Sequence, residues 1–199
     1  MNNEQDKTAV LKENIINAVM ASCDTADSTI AKVLEAVRYV KLETTEPGVE
    51  MVASLKPIIS VSMENAVKHG CDISIIVKGI LTGAFRSSDS VRQEAHKTID
   101  HLVQLIVKDA INAGADSALL TEAIITGILK IAQEEKLNVD EALSEAGTSA
   151  VLATYGLKPE VEHSVRESLS KNYSGHTVQI KEEFLQTQKA QNADKEEKK

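Results

Sequence analysis

Apolar residues recur at three- and four-residue intervals along almost the whole chain, the spacing of helices with one buried face. Strict alternation appears only in stretches too short to predict a sheet. The clearest helix runs from Val91, where Ala95, Ile99, Leu102, Ile106, Ala110 and Ala113 share a face, with Arg92, Gln93, Glu94 and Lys97 between them. Leu105, Val107 and Ile111 add a second apolar edge, which predicts a central helix covered on two sides and ended by Gly114.

Ahead of it, Leu11, Ile15, Ala18 and Val19 mark a first helix. Ile30, Val33, Leu34, Val37 and Val40 mark a second, capped by Asp27 or Ser28. Thr44-Thr45-Glu46-Pro47-Gly48 breaks the pattern, and a third helix through Val49, Met51, Val52 and Leu55 meets Pro57, where a kink or a new helix is expected. Beyond Gly114 the spacing predicts helices from Ser117 to about Glu135 and from Val139 to Tyr155, separated by Lys136-Leu137-Asn138. Gly156 closes the second of these. Pro159 suits the first turn of a last helix, reaching about Asn172, with Glu160 and Glu162 near its positive end. After Gly175 only Val178, Ile180, Phe184 and Leu185 can pack, so a disordered end is expected.

An internal repeat organises the middle of the chain. Laid over each other at a spacing of 44, Ala66–Arg86 and Ala110–Lys130 share Ala66/Ala110, Gly70/Gly114, Asp72/Asp116, Ile80/Ile124, Thr82/Thr126 and Gly83/Gly127. Val67/Ile111, Leu81/Ile125 and Phe85/Leu129 are conservative pairs. The unit reads as helix, tight glycine turn, helix: the glycine takes a left-handed conformation and the aspartate two residues later caps the next helix. Each second helix carries a small-xxx-small pair, Gly79 with Gly83 and Ala123 with Gly127, which lets backbones approach closely. These four positions are the candidate helix-contact residues, and the two helices are expected to pack on each other about a pseudo-twofold axis, or to meet across a dimer. Ala142, Ala146, Ala150 and Ala153 form a third small stripe.

The fold expected is therefore an all-α multi-helix bundle containing a helix-turn-helix repeat of about 44 residues. Its parts are an N-terminal helical pair (1–46), a helical repeat core (47–175) and a polar disordered tail (176–199). The Gly114-Ala115-Asp116 turn, Gly127 and Tyr155-Gly156 resemble, over roughly Ala66 to Leu169, a bacterial family of helical proteins known only as a domain of unknown function. That resemblance implies a helical fold and supplies no catalytic residues.

Charge narrows the partners. Twenty-two basic against 30 acidic residues leave a net charge of −8, the wrong sign for affinity built on phosphate neutralisation, so no nucleic-acid partner is expected. The acid concentrates in residues 109–167, with 11 acidic against 4 basic, whereas 56–108 carries 7 basic against 5 acidic. No run of about 18 apolar residues predicts a membrane span. The first residues lack the pattern of a secretory signal, so a cytoplasmic address is expected, with Cys23 and Cys71 reduced. Only 3% of residues are aromatic, so the core must be aliphatic.

Chemistry is sparse. A di-iron bundle needs two Glu-x-x-His pairs, and only Glu160-Val161-Glu162-His163 fits, at a helix start where acidic residues are expected without a metal. His96 and Asp100 read as a solvated face, and His69-Gly70-Cys71-Asp72 is an isolated pair of ligand types. Phosphate-binding glycine loops and the Gly-x-Ser-x-Gly elbow are missing from the chain. The expectation is a non-enzymatic interaction or self-assembly module without a cofactor, metal or catalytic residue, binding copies of itself or another protein. The alternative is an amphipathic helical protein associating reversibly with a lipid or granule surface, which the low aromatic content and acidic balance disfavour.

Overall fold

The computed structural model describes residues 55–87 and 93–196, and these form an all-α bundle. The helices are α1 (Lys56–His69), α2 (Ile73–Ser87), α3 (Ala95–Asn112), α4 (Ser117–Glu134), α5 (Val139–Ala153), α6 (Pro159–Leu169) and α7 (Glu182–Glu196). The expected helical pair within residues 1–46, and the stretch from Val49 to Ala53, lie outside the described residues. At Pro57 a helix starts: the proline occupies the first turn of α1, where its missing amide costs no hydrogen bond.

The two repeated turns close their first helices with the same pair of backbone bonds. Gly70 (φ 66°) donates its N–H to the Val67 carbonyl and Cys71 donates to that of Ala66. Gly114 (φ 96°) donates to Ile111 and Ala115 to Ala110. These bonds satisfy carbonyls that the helix end leaves open. The caps follow two residues on: Asp72 Oδ1 accepts from the Ser74 amide at 2.9 Å, and Asp116 Oδ1 from the Leu119 amide at 2.9 Å. A third turn of the same form joins α4 to α5. Lys136 takes the left-handed position (φ 57°), Leu137 donates to the Ala132 carbonyl, and Asn138 Oδ1 accepts from the Glu141 amide at 3.3 Å.

Three consecutive helix pairs, α1–α2, α3–α4 and α5–α6, stack in two rows. In one row α1 packs on α3 and α3 on α5; in the other α2 packs on α4 and α4 on α6. Burial repeats with the sequence. Ile59/Val103, Met63/Val107 and Ala66/Ala110 are all buried at the spacing of 44, as are Ile76/Leu120, Ile80/Ile124 and Phe85/Leu129. The sequence pattern makes α3 the central helix, but α4 has more neighbours, packing on α2, α3, α5 and α6. The physical reason is the solvent-facing side of α3, where His96, Lys97, His101 and Lys108 are exposed.

The C-terminal segment departs from expectation. α6 ends at Leu169, short of Asn172, because Asn172–Tyr173 and His176–Thr177 pair as a two-stranded antiparallel hairpin around Ser174-Gly175. Tyr173 is buried and its hydroxyl donates to the Ser168 carbonyl at 2.8 Å. Burial pushes that phenol up to about 12. After the hairpin the chain docks on α5: the Lys181 amide donates to Thr148 Oγ1, Lys181 Nζ pairs with Glu145 at 2.6 Å, and Leu185 is fully buried. The packed part thus extends past residue 175 to Leu185. Polar α7 continues from there to Glu196, with Arg166 pairing with Glu182 and Lys189 lying 5.6 Å over the Tyr155 ring.

Candidate helix-contact site

The four small positions all lie in the second helix row. Gly79 and Gly83 are on α2, Ala123 and Gly127 on α4, and all four are buried. At Gly127 a Cβ atom would stand 2.8 Å from Leu81 Cδ1, so the glycine is a notch into which the Leu81 side chain fits. Two residues on a helix turn the face by about 200°, which puts Leu81 on the side of α2 away from Gly79 and Gly83. The contact is therefore front to back: the small stripe of α4 receives the leucine side of α2. A pseudo-twofold pairing of glycine stripe with glycine stripe, expected from the sequence, is not what the helices do at Gly127. Small residues signal close approach and carry no information about which face approaches.

A second notch escaped the sequence reading. A Cβ at Gly147 would run into Val178 Cγ1 and lie 3.5 Å from Leu169 Cδ2, so α5 takes the post-hairpin segment against bare backbone. Gly147 stands beside Ala146 of the third small stripe, which was the available signal.

Polar side chains mostly join helices. Asp100 is half-buried and its Oδ1 accepts from Ser149 Oγ at 2.6 Å and Gln104 Nε2 at 2.7 Å, so it links α3 to α5. This corrects the reading of Asp100 as a solvated position. His96, beside it in the sequence motif, is exposed and lies 3.7 Å from Glu141. Glu162 belongs to an ion-pair set with Arg166 at 2.8 Å, whereas His163 is exposed. Among the described residues no group of three His, Cys, Asp or Glu side chains is placed to hold a metal ion. Cys71 is disulfide-bonded and half-buried, not the reduced thiol expected. Cys23 lies outside the described residues.

Asp109 is the exception among these polar groups. Its Oδ2 is, among the described residues, the one buried side-chain polar atom without a hydrogen-bond partner. Burial raises its carboxyl above the ordinary carboxylate range, and the nearby Lys56 charge offsets this in part. A folded-state pKa above the unfolded one means that the charged form destabilises the fold at neutral pH, and that this penalty begins to shrink as pH falls through the raised value and is gone below the ordinary carboxylate range. Asp109→Asn is therefore expected to melt at or above the wild-type temperature at pH 7. Thermal melts across pH should show that advantage shrinking on acidification.

No helix among the described residues is long and apolar enough to cross a membrane. No protein-family model matches the chain, and no curated protein matches it.

Proposed function

We propose that the chain is a non-enzymatic interaction module, a short array of stacked helix pairs that binds a second copy of itself or another protein through its outward helix faces. The observation that carries this reading is the two-row stack of α1–α2, α3–α4 and α5–α6, in which each pair packs on the next. Arrays of this kind present long continuous surfaces, and they bind through them because their interior is taken up by contacts between neighbouring units. Here the interior use is explicit: the Gly127 notch holds Leu81 and the Gly147 notch holds Val178, so neither is free to take a partner. The outward faces carry basic and histidine side chains on α3, exposed Leu119 at the start of α4, and acidic residues on α5 and α6. The sign difference between residues 56–108 and 109–167 suits attraction between opposite ends of two copies.

The test is the solution mass of the full-length protein by size-exclusion chromatography with light scattering, at low and high salt. A dimer or larger species that weakens with salt supports self-association through charged outward faces. A monomer at every concentration and salt contradicts the self-assembly form.

A further inference from the structure

The chain beyond Gly175 is an arm laid on the bundle rather than a member of its stack. The first hairpin strand stays with α6, because Tyr173 is buried and its hydroxyl donates to the Ser168 carbonyl. From His176 onward, among the described residues, main chain meets the rest of the main chain only in the two-residue ladder, a pairing that is marginal by itself. Side chains hold the remainder on α5 and α6. His176 lies 3.0 Å from Asp140, Val178 fills the Gly147 notch, the Lys181 amide donates to Thr148 Oγ1, Lys181 Nζ pairs with Glu145, and Glu182 pairs with Arg166. Leu185 is fully buried, whereas Val178 and Ile180 are only partly covered. A segment with so few buried apolar contacts opens at a lower cost than the bundle unfolds.

The turn that joins the arm to the bundle has the form of a hinge. Ser174 sits in the left-handed region (φ 53°), which is uncommon for a residue with a Cβ, and Gly175 follows at φ 93°. Straightened, residues 172–175 span about 13 Å and carry the arm away from its own α5. The surface it leaves, Gly147 and Thr148 flanked by Asp140 and Glu145, has a complement already in view, the same arm from another copy. Exchange remakes each of these contacts between two chains and releases Ser174 from its left-handed conformation. About a twofold axis the exchange is closed, so it ends at a dimer.

We infer that two copies associate by exchanging the arm from His176 onward, each seating Val178 and Leu185 on the other's α5. The inference rests on the self-association form of the function proposed above and names the surface that form uses.

It is tested by light-scattering mass of full-length variants, alone and mixed. Gly147→Val closes the groove and leaves the arm intact; Leu185→Asp spoils the arm and leaves the groove intact. The wild type is expected to gain dimer as concentration rises, and each variant alone to be a monomer. An equimolar mixture forms a heterodimer with one copy of each, because the arm of the first fits the groove of the second. Should Gly147→Val not fold, turn length decides: deleting Ser174 and Gly175 raises the dimerisation constant at least tenfold, and inserting four glycines before His176 lowers it as much. A wild-type dimer that persists in both single variants, a mixture that stays monomeric, or indifference to turn length overturns arm exchange and leaves self-association to another face. A wild type that is monomeric at every concentration overturns arm exchange and self-association together.

Discussion

Phe85→Ala is expected to be the most damaging single truncation in the described bundle, costing about 3–5 kcal/mol. Phe85 is 1% exposed near the end of α2 and heads the fully buried side chains by volume. The core around it is aliphatic and close-packed, so neighbours relax into the vacated space only in part, and the loss combines transfer free energy with a cavity. Urea unfolding should show the midpoint falling sharply with the slope unchanged, since the same surface is exposed on unfolding. The chain's other phenylalanine is the control. Phe184 on α7 is 44% exposed, and Phe184→Ala is expected to change stability by no more than about 0.5 kcal/mol. Equal losses at the two sites would contradict the assignment of the core.

Gly127→Leu is the second large effect, with an expected cost of up to about 3 kcal/mol. Its Cβ alone would come within 2.8 Å of Leu81 Cδ1, and the remaining side-chain atoms have to enter a seam where Leu81, Ile124 and Ile128 are all fully buried. Leucine is the better helix former by several tenths of a kcal/mol, so helix propensity alone predicts the opposite sign. Chemical denaturation therefore separates the two effects by direction: a stabilised variant would mean that the seam is open, a destabilised one that the helices meet there. Gly127→Ala is the mild member of the series, because only the terminal methyl of Leu81 has to move.

Much of this architecture was legible in the sequence because its turns are written in residues with few alternatives. A glycine at positive φ followed two residues later by an aspartate cap specifies a helix end and a helix start together, and it does so twice at one spacing. The third turn of the same form was less legible, since Lys136 stands where the others have glycine and only the backbone reveals its left-handed conformation. The hairpin was hidden for a different reason: strands of two residues are too short for alternation to register, although Ser174-Gly175 is a turn signal. Long-range partners left no local trace. Nothing about Asp100 in its own helix foretells Ser149, nor does Gly147 announce Val178.

The candidate contact residues illustrate the same limit. Spacing marks Gly79, Gly83, Ala123 and Gly127 as candidate places of close approach; all four are buried, and at Gly127 the side chain of Leu81 comes close. Which face meets which is decided by how successive units stack, and a periodic sequence is compatible with either a rotated or a translated neighbour. The Leu81–Gly127 contact selects the translated arrangement, and the two-row order of the helices follows from it.

The most direct test of front-to-back stacking is a double-mutant cycle between Leu81 and Gly127, read by urea unfolding of Leu81→Ala, Gly127→Ala and the double variant over a range of protein concentrations. The account predicts a coupling of about 1 kcal/mol, because the methyl added at 127 enters space that the truncated residue 81 has vacated, with the same value at every concentration. Strict additivity, or a coupling that grows with protein concentration, would contradict it.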